Sequence, residues 1–493
     1  MGNAAARAIS HMTDGQAMPV CAPNGTARCP GGVVRIGMFF DGTNNNMYRD
    51  APNDLPQFAA DPLGQNGRSN VAKLWQLYIE QGTLQKRAYC HGVGTDSFQQ
   101  AYRTRAAAAR PHPANATAEQ RESETRANQS LGTTEVQNDT LGNGTGRGGR
   151  SRIEWGRMQL SDFYSNFGND IVIHKLFDTY GFSRGAALAR DFVNKVRTQG
   201  IDNLKQPNGF RMQGRRRINL YQRHAQPTPT FLGVWDTVGS FGIGGPQWAD
   251  EANHYDFFVD HTYVKKTVHL VAEDEVRINF PLTSLFMDPD ERATRGSSGY
   301  QNPAQFKDSM VEIWYPGAHC DVGASYVLRH PIAAVAPRTT YSTSAFGRPT
   351  TRVIPGTPAQ PGKRPDLAHI PLRDMHSGSL KAKVPLRPLE SLSPAKLWSI
   401  PGDLASWYSA YDDYRAGTDY AVEKRYIHTI RTWFFGRDTW NPRVNQPSFQ
   451  LLKLHFIHDS AAEFLAPVID THRWHRTVHF MGRQRLVAGP GVR

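Results

Sequence analysis

The sequence predicts an α/β fold with a mainly parallel sheet flanked by helices, and three stretches carry that prediction. Residues 33–95 read as strand, helix, strand. Val34, Ile36, Met38 and Phe40 alternate, Val71, Leu74, Trp75, Tyr78 and Ile79 recur at helical spacing, and KRAYCHGVGTD follows as a strand with a glycine turn. Residues 176–190, LFDTYGFSRGAALAR, pass from an apolar strand through a glycine-flanked serine into an alanine-rich helix. TFLGVWDTVGSFG and MVEIWYPGAHCDVG are each a strand that ends in a polar, glycine-bearing loop.

The elements follow in order. The first strand stops at Asp41, Gly42 and Thr43, and the next helix is entered through Ser69 or Asn70. Residues 98–150 are polar and poor in bulky apolar side chains, which marks an insertion. Helical spacing returns near Ile153, and the strand leading to Ser183 carries Asp178 and Thr179, unusual residues for a buried strand. After the serine, Leu188, Phe192, Val193 and Val196 form a helical apolar face, the alanines allow close packing, and Gly200 suits a C-terminal cap. VKKTVHLVAEDEVRINF reads as helix. Residues 335–365 are rich in Pro, Thr, Ser and Arg, and residues 397–440 hold a dense run of Trp, Tyr and Phe. FQLLKLHFIHDS and RTVHFMGR read as late strands. The expected organisation is an N-terminal arm over 1–32 and a catalytic core over 33–334 with its insertion at 98–150. A Pro/Ser/Thr-rich insertion over 335–396 and an aromatic-rich segment over 397–493, with late strands returning to the core, complete it.

A chain of 493 residues, 39% hydrophobic and 20% charged, fits a globular protein with loop-rich parts. Its formal net charge of +13 favours anionic lipid headgroups, nucleic acid or an acidic partner. Helix-turn-helix, zinc and RNA-binding aromatic patterns are absent from the sequence, so no nucleic-acid partner is expected. The four cysteines, Cys21, Cys29, Cys90 and Cys320, lack zinc spacing and are too few for a disulfide scaffold. Cys21 and Cys29 suit a pair in an oxidising space and equally suit free thiols. MGNAAARAISHMTDG has no apolar core of signal-peptide length, and Ala6 stands where myristoylation wants Ser or Thr. The expectation is a chain made in the cytoplasm without a cleaved leader, with export by another route.

Gly181, Ser183 and Gly185 form G-x-S-x-G between strand and helix, the context of a nucleophile elbow. A nucleophilic serine needs a histidine to take its proton and a carboxylate to fix that histidine. Asp236 and His319 supply these in the order Ser, Asp, His, and all three fall at strand ends, where open α/β sheets place their sites. His458, at the end of LLKLHFIHDS, is the alternative base. The backbone N–H of Arg184, with those of Gly42 and Thr43 after the first strand, is placed to form an oxyanion hole. FFDGT also resembles half of the phosphoaspartyl motif D-x-D-G-T, but Phe39 replaces its nucleophilic aspartate, which excludes that chemistry. Phe241, Ile243 and Trp248 line an acyl pocket or pack ordinarily.

FFDGTNNN, HGVGTD, GFSRGAALAR, GVWDTVGSFG, HLVAEDEVR, WYPGAHCDVGASY and the late IHDS occur in this order. As a set they resemble the family-1 lipase effectors of bacterial type VI secretion, in separated blocks from residue 34 to about 480. The resemblance implies an α/β-hydrolase-like phospholipase A with its triad on Ser183, Asp236 and His319. No metal or organic cofactor is implied. The implied partners are membrane phospholipids, a secretion spike or adaptor, and a cognate immunity protein. The implied place of action is the membrane in the target-cell periplasm, reached by type VI secretion. Cys320 and Ala324 stand where relatives usually carry serine and glycine, and the C-terminal membrane-anchoring part is reduced to the aromatic stretch. The alternatives are a carboxylesterase acting on a non-phospholipid ester and a non-enzymatic binding protein.

Overall fold

The computed structural model describes residues 32–47, 50, 67–95, 148–165, 167, 174–201, 207–213, 216–221, 226–241, 255–275, 277, 280–286, 309–328, 338–343, 349–354, 362–417, 446–458, 475–480 and 483–488. The expected N-terminal arm, nearly all of the 98–150 insertion, Cys21, Cys29, Ile243, Trp248 and the aromatic residues at 418–440 lie outside the described residues.

In chain order, β1 is Val33–Phe40, α1 Asn70–Leu77, β2 Gln85–Cys90, α2 Gly149–Ser165, β3 His174–Phe182 and α3 Arg184–Gln199. Next come β4 Pro207–Gln213, β5 Arg216–Tyr221, β6 Thr228–Trp235, β7 Lys266–Ala272, β8 Leu282–Thr283, β9 Met310–Tyr315 and α4 His319–Gly323. The rest are β10 Arg338–Thr343, β11 Pro349–Ile354, α5 His369–Lys381, α6 Gly402–Gly417, α7 Pro447–His455, β12 His475–Phe480 and β13 Arg483–Ala488.

Six strands pair in the order β2-β1-β3-β6-β7-β9, and every pairing is parallel. This is the expected sheet. Because it is parallel, helices cover both faces, and the central strands are buried almost throughout while the edge strand β2 is half-buried. Alternate residues of β1 therefore serve two cores. Val34, Ile36, Met38 and Phe40 join α2 and α3 on one face, while Phe39 joins α1, α5, α6 and α7 on the other. Phe39 stacks on Tyr180 of β3 at 4.8 Å between centroids. The chain leaves β1 for the edge strand β2 and then returns to β3 on β1's other side. That reversal opens a crevice at the carboxyl ends of β1 and β3, the place where such sheets bind ligands.

The buried carboxylate of Asp178 inside this sheet is fully paired. Asp178 of β3 takes two 2.7 Å hydrogen bonds from the Arg35 guanidinium of β1, one from Thr230 of β6 and one from Tyr78 just after α1. The residue that looked out of place in a buried strand is the centre of a network tying three strands to a helix. Burial of so many charges is tolerated because nearly every lone pair is used.

Two expectations are corrected. Residues 266–272 form a strand, not a helix. The charges at its ends, Lys265 and Lys266 at the start and Glu273 to Glu275 after, give the segment an amphipathic look. Thr267, Val268 and Val271 are β-branched, however, and β6 and β9 flank the segment on either side. Residues 447–455 form helix α7, not a strand. Leu452, Leu454 and Phe456 alternate, yet Phe449, Leu452 and Phe456 are buried at helical spacing while Leu454 is 46% exposed. The 335–365 segment contains an antiparallel pair, β10 with β11. The other late strand expected from the sequence is present as β12, which pairs with β13 and, in parallel, with β8 beyond β7.

Candidate active site

β3 lies between β1 and β6, and its chain reverses into α3 at Ser183. Ser183 has φ of 59° and ψ of −128°, a conformation that costs a non-glycine residue about 1–3 kcal/mol. Its surroundings hold it there. The Ser183 N–H donates to Trp235 O at 3.0 Å, and Ser183 O accepts from the amides of Ala186, Ala187 and Val238. The flanking glycines are steric requirements. A Cβ on Gly181 would lie 2.5 Å from Gly185 O, and one on Gly185 would lie 2.2 Å from Asp41 O. Ser183 is 1% exposed, and its Oγ has no hydrogen-bond partner among the described residues.

Asp236 follows β6 at φ 42°, and its N–H donates to Leu270 O of β7 at 2.7 Å. One carboxylate oxygen accepts the Ala272 amide at 2.9 Å, and the other lies 2.5 Å from His319 Nδ1. His319 is the first residue of α4, delivered by the loop after β9. Its ring is buried between Phe182, the neighbour of Ser183, with centroids 4.6 Å apart, and Phe280, edge-on at 4.9 Å. Burial lowers the affinity of His319 for a proton, and the hydrogen bond and charge of Asp236 oppose that effect. The ring is thus kept neutral, with Nδ1–H donated to Asp236 and Nε2 as the remaining acceptor. Ser183, Asp236 and His319 follow the carboxyl ends of β3, β6 and β9 of the one sheet, and the structure draws no hydrogen bond between Ser183 Oγ and His319.

The backbone candidates for an oxyanion hole differ in availability. The Gly42 N–H already donates to Asp41 Oδ1 at 2.8 Å, so that amide is committed to its own loop. The Thr43 hydroxyl accepts from the Arg184 guanidinium at 3.0 Å, and Arg184 opens α3 directly after Ser183. That contact holds the β1 loop against the elbow. The loop is fixed from below by Asp41, which accepts Ser69 Oγ at 2.8 Å and Tyr89 OH at 2.5 Å. Burial raises the Asp41 carboxyl to about 6 against the pull of these donors. Gly92 is needed beside it, since a Cβ there would meet Gly42 O at 1.6 Å.

His458 is placed elsewhere. Its Nδ1 lies 2.7 Å from Asp321 Oδ1, its N–H donates to Asp321 Oδ2 at 2.9 Å, and its ring stacks on Tyr326 at 4.0 Å. It pairs with Asp321, not with Asp236. Phe241 is core, packed on Tyr255 at 4.4 Å. Among the described residues, no group of three or more His, Cys, Asp or Glu is arranged to hold a metal, and no helix is long and apolar enough to cross a membrane. The sequence reading missed Phe182, Glu275, Arg277 and Phe280 around His319. Their signal lay within GFSRG and HLVAEDEVRINF, and the helical reading of the second stretch hid it.

Residues 202–375 match the family model described as T6SS, Phospholipase effector Tle1-like, catalytic domain. No curated protein matches the sequence. Among solved structures, an uncharacterized protein from Pseudomonas aeruginosa is similar with a TM-score of 0.44 at 23% identity, over 78% of this chain and 51% of that one. The present chain thus spans about half the length of that protein. The Tle1 effector bound to the VgrG spike of the type 6 secretion system is similar with a TM-score of 0.46 at 15% identity, over 98% and 97% of the two chains. The family match begins after Ser183 and contains both Asp236 and His319. Over residues 202–375 the chain is similar to the catalytic domain of Tle1-like phospholipase effectors of type VI secretion.

Proposed function

We propose that this chain is a serine esterase of the phospholipase A type, acting on membrane glycerophospholipids as an antibacterial effector delivered by type VI secretion. The observation that supports it most is the 2.5 Å contact of His319 with Asp236 at the sheet edge where Ser183 is held in a strained turn. His319 Nε2 takes the Ser183 proton as Oγ attacks an acyl ester carbonyl, and the amides of Arg184 and Thr43 face the resulting oxyanion. Collapse expels the lysophospholipid alcohol with the proton from His319. Water, deprotonated by the same ring, then releases the fatty acid from Ser183. Asp236 keeps the proton on Nδ1 and stabilises the imidazolium. The family match supplies the lipid substrate class, and the periplasmic face of the target membrane is the site of action this reading calls for. A spike or adaptor and a cognate immunity protein are its partners.

Mass spectrometry of phospholipid incubated with wild-type protein and with Ser183→Ala tests this. Lysophospholipid and free fatty acid should form with the wild type alone. Products from both samples, or from neither, overturn it. Cleavage of a short-chain ester with phospholipid left intact assigns the site to a carboxylesterase.

A further inference from the structure

The loop leaving β7 is laced to the chain that delivers His319. Asp274 N–H donates to Gly317 O at 2.9 Å, and Gly317 N–H donates to Asp274 Oδ2 at 2.6 Å. One residue later the side chain of Glu275, fully buried, accepts the His319 backbone N–H at 3.2 Å. Arg277 closes on that same carboxylate with Nε at 2.9 Å, Nη2 at 2.8 Å and its own N–H at 2.8 Å. The guanidinium carbon lies 3.7 Å from the Phe280 ring centroid, and Phe280 is the ring set edge-on against His319. A buried ion pair that served packing alone would be as effective anywhere in the core. This one ends on the amide and the ring face of a single histidine.

We propose that Glu275 and Arg277 are positioning residues for the base: Glu275 fixes the His319 main chain, Arg277 fixes Glu275 and Phe280, and their opposite charges offset one another at the His319 ring. This rests on His319 being the base of the proposed reaction. The charged groups around His319 are Asp236 from the end of β6, Glu275 and Arg277 from the β7 loop, and Asp321 within α4. Asp321 is engaged by the Ala318 amide and by His458. Asp236 and Glu275 favour a protonated ring, whereas burial and Arg277 oppose it. Removing one member of the pair therefore unmasks the other, and the two removals act in opposite directions.

The test is the pH dependence of kcat/KM on phosphatidylglycerol in mixed micelles for full-length wild type, Glu275→Gln, Arg277→Gln and Arg277→Lys. The acid limb reports the free base, and its midpoint is independent of how much of the preparation is folded. Glu275→Gln should move the limb down and Arg277→Gln should move it up, each by about half a unit or more. Arg277→Lys, which keeps the charge and loses the bidentate fork, should leave the limb near wild type while lowering kcat. Limbs that stay put, or that move the same way, overturn the proposal. Should Arg277→Gln not fold, Arg277→Met removes the same charge, and Glu275→Gln alone still tests the sign. Ser183→Ala in the same assay separates the two readings. Residual hydrolysis there removes the catalytic reading itself, whereas a dead Ser183→Ala with unmoved limbs removes only the role of Glu275 and Arg277.

Discussion

At the scale of single residues, the candidate site is made by close approach of backbone to backbone. A side chain at position 185 would meet Asp41 O at 2.2 Å and Phe40 O at 2.4 Å, both carried by the end of β1. Carbonyls in a central strand cannot swing away as a flexible side chain can. Gly185→Ala must therefore displace either the elbow or the loop that follows β1. The expected cost is about 1–3 kcal/mol of stability. A shift of roughly 1 Å between Ser183 and its surroundings should also lower kcat/KM about 100-fold. Chemical denaturation and ester-hydrolysis kinetics on the same preparation check both numbers, and wild-type kinetics in Gly185→Ala would count against the elbow.

At the scale of elements, helix α1 carries a cost that its sequence conceals. Lys73 is 0% exposed, its Nζ has no hydrogen-bond partner among the described residues, and burial takes it down to about 7 despite the nearby charge of Asp366. The unfolded chain holds that proton up to the ordinary lysine value of 10.5. Between these values the unfolded state binds more protons, so stability rises with pH across the window, by roughly 1.4 kcal/mol per unit from this group. Lys73→Met should then raise the urea midpoint most at pH 7, with a benefit that shrinks toward pH 10. An equal benefit at both pH values would show that the charge is not what α1 carries at a cost. The helix itself was legible, because Val71, Leu74 and Tyr78 repeat at helical spacing and Ser69 caps its N-terminus through the Ala72 amide. The sheet was legible for a similar reason, since VVRIGMFF and TFLGVWD are apolar runs that stop at polar turns. Strand β7 was not, because a short run buried on both faces has no period of its own and borrows one from its charged flanks. Helix α7 failed in reverse, with three alternating apolar residues mimicking a strand. For the site, Ser183, Asp236 and His319 stand out because each ends a strand. Glu275 and Phe280 do not, since their positions depend on contacts with residues far away in sequence.

At the scale of the whole molecule, the segment after α6 returns to the carboxyl edge of the sheet and meets α4. Asp321, two residues after His319, accepts the Ala318 amide with one oxygen and holds His458 with both. His458→Ala should thus cost about 3 kcal/mol, the loss expected when one partner of a buried pair is removed. Turnover in the protein that stays folded should remain within about tenfold of wild type, because the pairing of Asp236 with His319 does not pass through position 458. Thermal melts with kinetics corrected for the folded fraction check this, and an inactive, folded His458→Ala beside an active His319→Ala would transfer the role of base to His458. The same clasp sets a schedule for synthesis. Asp321 and His458 are separated by 137 positions, so on the ribosome α4 waits for its partner through the translation of everything between them. An emerging chain that has already made its serine turn still lacks the anchor beneath its histidine, and the lock closes only when position 458 has cleared the exit tunnel.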